Sequence, residues 1–183
     1  MRILQAVAVV VVAGVMFAVL TTGQRKPLAS GQSAPDFSAK GTDGKTHTLS
    51  SMTERGNAYF YFIKIGCPVN HRAAPFLKKI SDAYGSKGNV VGVINGSVAD
   101  AKAWAKEYGA SFPIIADPDL KIIRAYGAQH SPWLVAVSKE GKVTKSWSEG
   151  SSNVLAEVNR LAANTAGMKV AQLSFTGAPS GGG

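Results

Sequence analysis

The 183-residue chain holds one cysteine, Cys67, and only three histidines. A single thiol cannot close an intramolecular disulfide. Any redox cycle built on Cys67 therefore needs a partner thiol, a small thiol or a second chain. The scarcity also removes a second thiolate from any metal site. Acidic residues are few as well: 11 Asp and Glu stand against 20 Lys and Arg, for a net charge of +9. Such an excess suits an acidic partner or a membrane surface. Apart from pairs such as Lys78-Lys79 the basic residues are scattered, and no Arg-rich or aromatic-interleaved stretch occurs. That pattern argues against nucleic acid as a partner. No internal repeat is visible. Asp117 and Asp119 read as turn and helix-start residues, not as a catalytic carboxylate pair.

What is abundant lies at the start. Residues 3–20 are apolar except for Gln5, with Arg2 before them and Arg25-Lys26 after. The run is long for a signal-peptide core and close to a minimal membrane span. Residues 1–23 are thus expected to be a signal peptide or a membrane anchor, as a hydrophobic helix. Either places the remainder outside the cytoplasm, in a periplasm or on the outer face of the cytoplasmic membrane. Residues 24–33 read as a linker and 34–166 as one domain. Residues 167–183, ending Gly-Ala-Pro-Ser-Gly-Gly-Gly, read as a flexible tail.

The domain begins with a hairpin turning at Asp43-Gly44. Ala58–Ile65 is an apolar and aromatic run suited to a strand covered on both faces. Pro68–Tyr84 has helical periodicity, with Ala73, Phe76, Leu77, Ile80 and Tyr84 as its buried stripe. Asn89–Asn95 is a second buried strand. Ser97 caps a helix reaching Tyr108, with Asp100 in its first turn. Phe112–Ala116 is a short strand, and a short helix ends near Tyr126-Gly127. Trp133–Val137 and Val143–Trp147 are strands about a turn, and a final helix runs over residues 153–165. Strands alternating with helices predict an α/β fold with parallel pairing; the closing hairpin makes the central sheet mixed.

Cys67 falls at the junction between strand and helix. Gly66 turns the chain, Cys67 takes the N-cap position, and Pro68 begins the helix without losing a needed N–H. Helix N-termini favour negative charge, so a thiol there ionises more readily and is expected to be partly exposed and reactive. Lys64 and His71 are cations that would support a thiolate.

These features resemble the thioredoxin superfamily, most closely its peroxiredoxin-like redoxins of the alkyl hydroperoxide reductase and thiol-specific antioxidant type. Ala34-Pro35-Asp36-Phe37 with Asp43-Gly44-Lys45 and Leu49 is similar to the N-terminal hairpin of that branch. Cys67 matches the first active-site cysteine, and Pro75 the helix-kinking proline. Ser131-Pro132 matches the cis-proline loop, and Phe112–Pro118 a redoxin segment. The resemblance implies a thioredoxin-like fold and an antioxidant thiol oxidoreductase with Cys67 as nucleophile. Pro68, Lys64, Asn70, His71, Ser131, Pro132 and Trp133 would form the substrate groove and thiolate support. Partners would be an external thiol or thioredoxin-type reductant and a protein disulfide or hydroperoxide.

The departures are specific. Asn70 stands where thioredoxins have their second cysteine. Phe60 and Lys64 stand where peroxiredoxins have proline and threonine, so the resemblance implies single-thiol exchange or weak peroxide reduction, with no cofactor. A second resemblance is to Sco-type copper proteins, which would make Cys67, His71 and His130 copper ligands. A thioredoxin fold that only binds partners is the third alternative.

Overall fold

The computed structural model describes residues 26–181. The hydrophobic helix expected over residues 3–20 lies outside them. Among the described residues, no helix is long and apolar enough to cross a membrane.

The N-terminal hairpin forms as expected. Strands β1 (Ser38–Lys40) and β2 (Thr46–Thr48) pair antiparallel, with Ala39 opposite His47. Gly44 takes φ 77° in the turn, a value glycine adopts without strain. Helix α1 (Leu49–Thr53) follows directly and was not predicted; reciprocal Thr48 and Ser51 side-chain bonds cap it.

The main elements are β3 (Ala58–Ile63), α2 (Pro68–Tyr84), β4 (Val90–Ile94), α3 (Val98–Tyr108), β5 (Ile114–Ala116), α4 (Lys121–Ala125), β6 (Trp133–Val137), β7 (Val143–Trp147) and α5 (Ser152–Ala166). Five strands form a mixed sheet in the order β5-β4-β3-β6-β7. The β3–β4 and β4–β5 pairs are parallel, and the β3–β6 and β6–β7 pairs antiparallel.

β3 sits at the centre, and all six of its residues are buried. Its alternation serves two cores. Tyr59, Tyr61 and Ile63 join Leu77 and Ile80 of α2, Trp104 of α3 and Leu155 of α5. Phe60 and Phe62 join Phe37, Ile122, Tyr126 and Val135 on the opposite face. The central, fully buried strand therefore leads into the segment that carries Cys67. The predicted stripe of α2 is buried throughout.

Two boundary expectations are corrected. The linker ends earlier than 33: Gly31 N–H donates to the Val143 carbonyl at 2.8 Å, and Val143 N–H to the Gln32 carbonyl at 2.9 Å. These bonds cover the otherwise open edge of β7. The expected flexible tail is docked over residues 171–178. Phe175 is buried, with its ring centroid 6.1 Å from that of Phe76. Tyr84 Oη donates to Asn159 Oδ1 at 2.6 Å, and both side chains bond the backbone of Ala171 at 2.9 Å. A composition rich in glycine and serine hid one aromatic anchor with hydrogen-bonded neighbours.

Candidate functional site

Cys67 is the N-cap of α2, with φ −81°, ψ 116° and Pro68 beginning the helix. Its carbonyl accepts the N–H groups of Asn70 at 3.0 Å and His71 at 3.3 Å, starting the helical ladder. Its side chain makes no capping bond. The sulfur instead faces the loop before β6, where the thiol donates to the Ser131 carbonyl at 3.5 Å. The Ser131-Pro132 peptide is cis, as the resemblance implies. Cys67 is only 7% exposed, which corrects the expectation of a partly exposed thiol. An N-cap residue usually faces solvent, but here the Ser131-Pro132 loop lies over it.

Asn70 explains how that loop is held. It is fully buried at the position expected for a second cysteine. Its Nδ2 donates to the Lys64 carbonyl at 3.1 Å and to Ser131 Oγ. Its Oδ1 accepts from Tyr61 Oη at 2.7 Å. Ser131 Oγ in turn donates to the Phe62 carbonyl at 3.1 Å and accepts from Lys64 N–H at 3.1 Å. Burial pushes the Tyr61 phenol well above its ordinary pKa, with Cys67 and Tyr108 adding to the effect. Tyr61 therefore remains a donor. The amide supports the loop that touches the sulfur.

The other predicted residues separate into two groups. Pro132 is buried and Ser131 belongs to the sulfur's surroundings. A Cβ on Gly150 would stand 2.8 Å from Pro132 Cγ and 3.5 Å from Ala73 Cβ, so only glycine lets this wall close on Pro132. Tyr61 and Gly150 were missed from sequence. Strand alternation places Tyr61 on the α2 face, but nothing in its pattern announces the bond to Asn70. Pro68 is exposed beside the sulfur, and Lys64 contributes through its backbone while its side chain is exposed.

His71 is directed to α3. Its Nδ1 pairs with Tyr108 Oη, which also donates to Glu107 Oε1 at 2.8 Å. Burial first, then Glu107, pushes the Tyr108 phenol up to about 12. His130 lies against Trp133, ring centroids 6.3 Å apart. Trp133 itself is 4% exposed and belongs to the core below β6 rather than to an open groove. Among the described residues, no group of three His, Cys, Asp or Glu is placed to hold a metal. Cys67, His71 and His130 are thus not brought together as the copper resemblance required.

Two recesses flank α4. One of about 200 Å³ is lined by Ile63, Lys64, Leu120, Ile123, His130 and Ser131 among others. A larger one of about 610 Å³, bounded by Phe37, Asp117, Ile122 and Tyr126, holds none of the residues around the sulfur.

Known proteins share this fold. The thiol-disulfide oxidoreductase ResA of Geobacillus thermodenitrificans is 27% identical over 126 residues, spanning 67% of this chain and 71% of that protein. The crystal structure of a putative thiol:disulfide interchange protein DsbE from Chlorobium tepidum superposes with a TM-score of 0.66 at 24% identity, covering 76% of this chain and 99% of that one. The exposed lipoprotein thioredoxin Etrx1 of Streptococcus pneumoniae superposes with a TM-score of 0.54 at 29% identity, covering 62% of this chain and 88% of that one. The model of the Redoxin family matches residues 29–163, which takes in every strand, the helix that Cys67 caps and the Ser131-Pro132 loop, and on that match the chain belongs to the Redoxin family.

Proposed function

We propose that this protein is an extracytoplasmic thiol–disulfide oxidoreductase that works through the single thiol of Cys67. The observation that carries the reading is the pairing of Cys67, at the start of α2, with the Ser131 carbonyl one residue before Pro132. A sulfur so placed is aimed along a loop edge where an extended substrate can lie.

The reaction is a two-electron exchange. The Cys67 thiolate attacks one sulfur of a substrate disulfide. The substrate S–S bond breaks as the Cys67 S–S bond forms. The other substrate sulfur leaves with the electron pair and takes up a proton. A second, external thiolate then attacks the mixed disulfide, returns Cys67 as thiolate and carries away the oxidised product. The external thiol, a small thiol or a thioredoxin-type reductant, is required because Asn70 stands where an internal one would be.

Thiol–disulfide exchange is favoured over peroxide reduction for two reasons. ResA of Geobacillus thermodenitrificans is named for that chemistry. Of the residues matching the peroxiredoxin proline and threonine, Phe60 is locked in the core and the Lys64 side chain is exposed. The apolar run at residues 3–20 and the likeness to an exposed lipoprotein thioredoxin support an exported, membrane-tethered location.

The test is adduct trapping. Full-length reduced protein mixed with hydroxyethyl disulfide should gain one mixed disulfide by mass spectrometry, absent in Cys67→Ser. A native protein that gains none, while the urea-unfolded protein does, would sink the proposal. Protection of Cys67 by copper(I) that depends on His71 and His130 would replace it with the metal reading.

A further inference from the structure

The recess of about 200 Å³ between α4 and the end of β3 has in its lining Ser131, the residue whose carbonyl accepts from the Cys67 thiol. Ligand pockets for cofactors and drug-sized molecules run from about 300 to 1,000 Å³, so this one is scaled to a single side chain. Its lining is divided by chemistry. Ile63, Leu120, Ile123 and Ala128 make an apolar wall, while Lys64 and His130 stand at its margin, both exposed. No carboxylate lines it. Asp119, the acidic residue adjoining Leu120, is paired with Lys121 at 3.2 Å. Ile65, in the loop that leads to Cys67, is 45% exposed.

We propose that this recess is the specificity pocket of the thiol site, and that it selects a substrate whose reactive cysteine is flanked by an apolar residue accompanied by a carboxylate. This rests on the exchange reaction above and names its substrate class: an extended acidic cysteine peptide. Three features commit the pocket to that occupant. The recess begins at Ser131, so a chain whose sulfur meets Cys67 passes its neighbouring residue over the opening. The apolar wall rewards burial of that residue. Lys64 presents an ammonium and His130 a ring N–H donor, with no acidic residue among the lining, on a chain of net charge +9, so a carboxylate is the complementary group and a cation is repelled. Lys64 and His130 act here on substrate choice and take no part in bond exchange.

The experiment uses the reduced full chain and cysteine peptides activated as mixed disulfides with thionitrobenzoate, whose release is followed by absorbance. The peptides are Glu-Leu-Cys, Lys-Leu-Cys and Glu-Gly-Cys. At low salt Glu-Leu-Cys should react about tenfold faster than Lys-Leu-Cys, a steering effect that shrinks as salt is raised. Glu-Gly-Cys should be slower than Glu-Leu-Cys at every salt concentration. Lys64→Glu should narrow or invert the acidic preference, and the exposed position of Lys64 makes this variant compatible with folding. Equal rates for acidic and basic peptides, or a preference that survives Lys64→Glu unchanged, would overturn the inference. So would equal rates for the Leu and Gly peptides. Reaction of the wild type with hydroxyethyl disulfide separates the two layers. If that reaction fails, the exchange activity itself is wrong. If it proceeds while the peptides are not distinguished, only the pocket assignment falls.

Discussion

Replacing Asn70 by alanine tests the architecture of the site most directly. The substitution removes two donors and one acceptor from a residue with no exposed surface. Its groups serve the Lys64 carbonyl, Ser131 Oγ and Tyr61 Oη. The three losses are unequal. Ser131 Oγ keeps the Phe62 carbonyl and Lys64 N–H. The Lys64 carbonyl lies at the edge of an exposed loop, where water can replace the amide. Tyr61 is fully buried and retains only a long contact of 3.4 Å to the Asn70 carbonyl. Leaving a buried polar group unsatisfied costs about 1–3 kcal/mol. With Tyr61 bearing most of the loss, Asn70→Ala should destabilise the fold by about 2–4 kcal/mol. Urea unfolding followed by circular dichroism measures this, with an unchanged m-value showing that the same surface unfolds. The loop over the sulfur should loosen in parallel, so the native-state alkylation rate of Cys67 should rise severalfold. Asn70→Cys should lose the same network, because a thiol is a weak donor. A loss below about 0.5 kcal/mol, the range of an ordinary surface substitution, together with an unchanged alkylation rate, would show that Asn70 does not hold the Ser131 loop.

Further expectations concern separate parts of the molecule. Cys67→Ser should abolish exchange while shifting the melting temperature little, since the sulfur makes only one weak bond, at 3.5 Å to the Ser131 carbonyl. Gly150→Ala should cost about 1–3 kcal/mol through overpacking and slow mixed-disulfide formation, because the new Cβ displaces Pro132; a stable variant with normal exchange would refute that contact. Phe175→Ala should cost about 1–3 kcal/mol by removing the tail's anchor, read from thermal melts of the full chain. Lys145 first, then Trp147, hold the Glu157 carboxyl below its ordinary value of 4.5. Glu157 thus contributes stability above that value, lost as pH falls through its lower folded pKa. Glu157→Gln should remove this part of the acid-side slope, and an identical pH–stability curve for the variant would contradict it.

Much of the fold was legible because its signals are local. The Cys67-Pro68 cap signal and helical periodicity placed α2 at Pro68–Tyr84 with every residue of its buried stripe, and alternating elements with a closing hairpin predicted the mixed sheet. The meeting of Cys67 with Ser131-Pro132, 64 residues apart in sequence, came through family spacing instead. What escaped was side-chain pairing across distance. His71 looked like a thiolate neighbour on its own helix turn, but Tyr108 on α3 engages it. Asn70 looked like the absence of a cysteine, when it is a buried polar hub. The depth of Cys67 could not be read from its N-cap position, since the covering loop belongs to another part of the chain. The tail was misjudged because composition averages away a single anchoring aromatic.

The arrangement around Asn70 also fixes how the protein's oxidation state scales. In a dithiol redoxin the two sulfurs share one fold, so their bond forms at an effective concentration that dilution cannot alter. Here every disulfide that Cys67 enters joins two molecules. At equilibrium its occupancy therefore follows the ratio of partner disulfide to partner thiol, since one disulfide and one thiol stand on each side of the exchange. With one cysteine in its sequence, the chain has no internal disulfide in which to store oxidising equivalents.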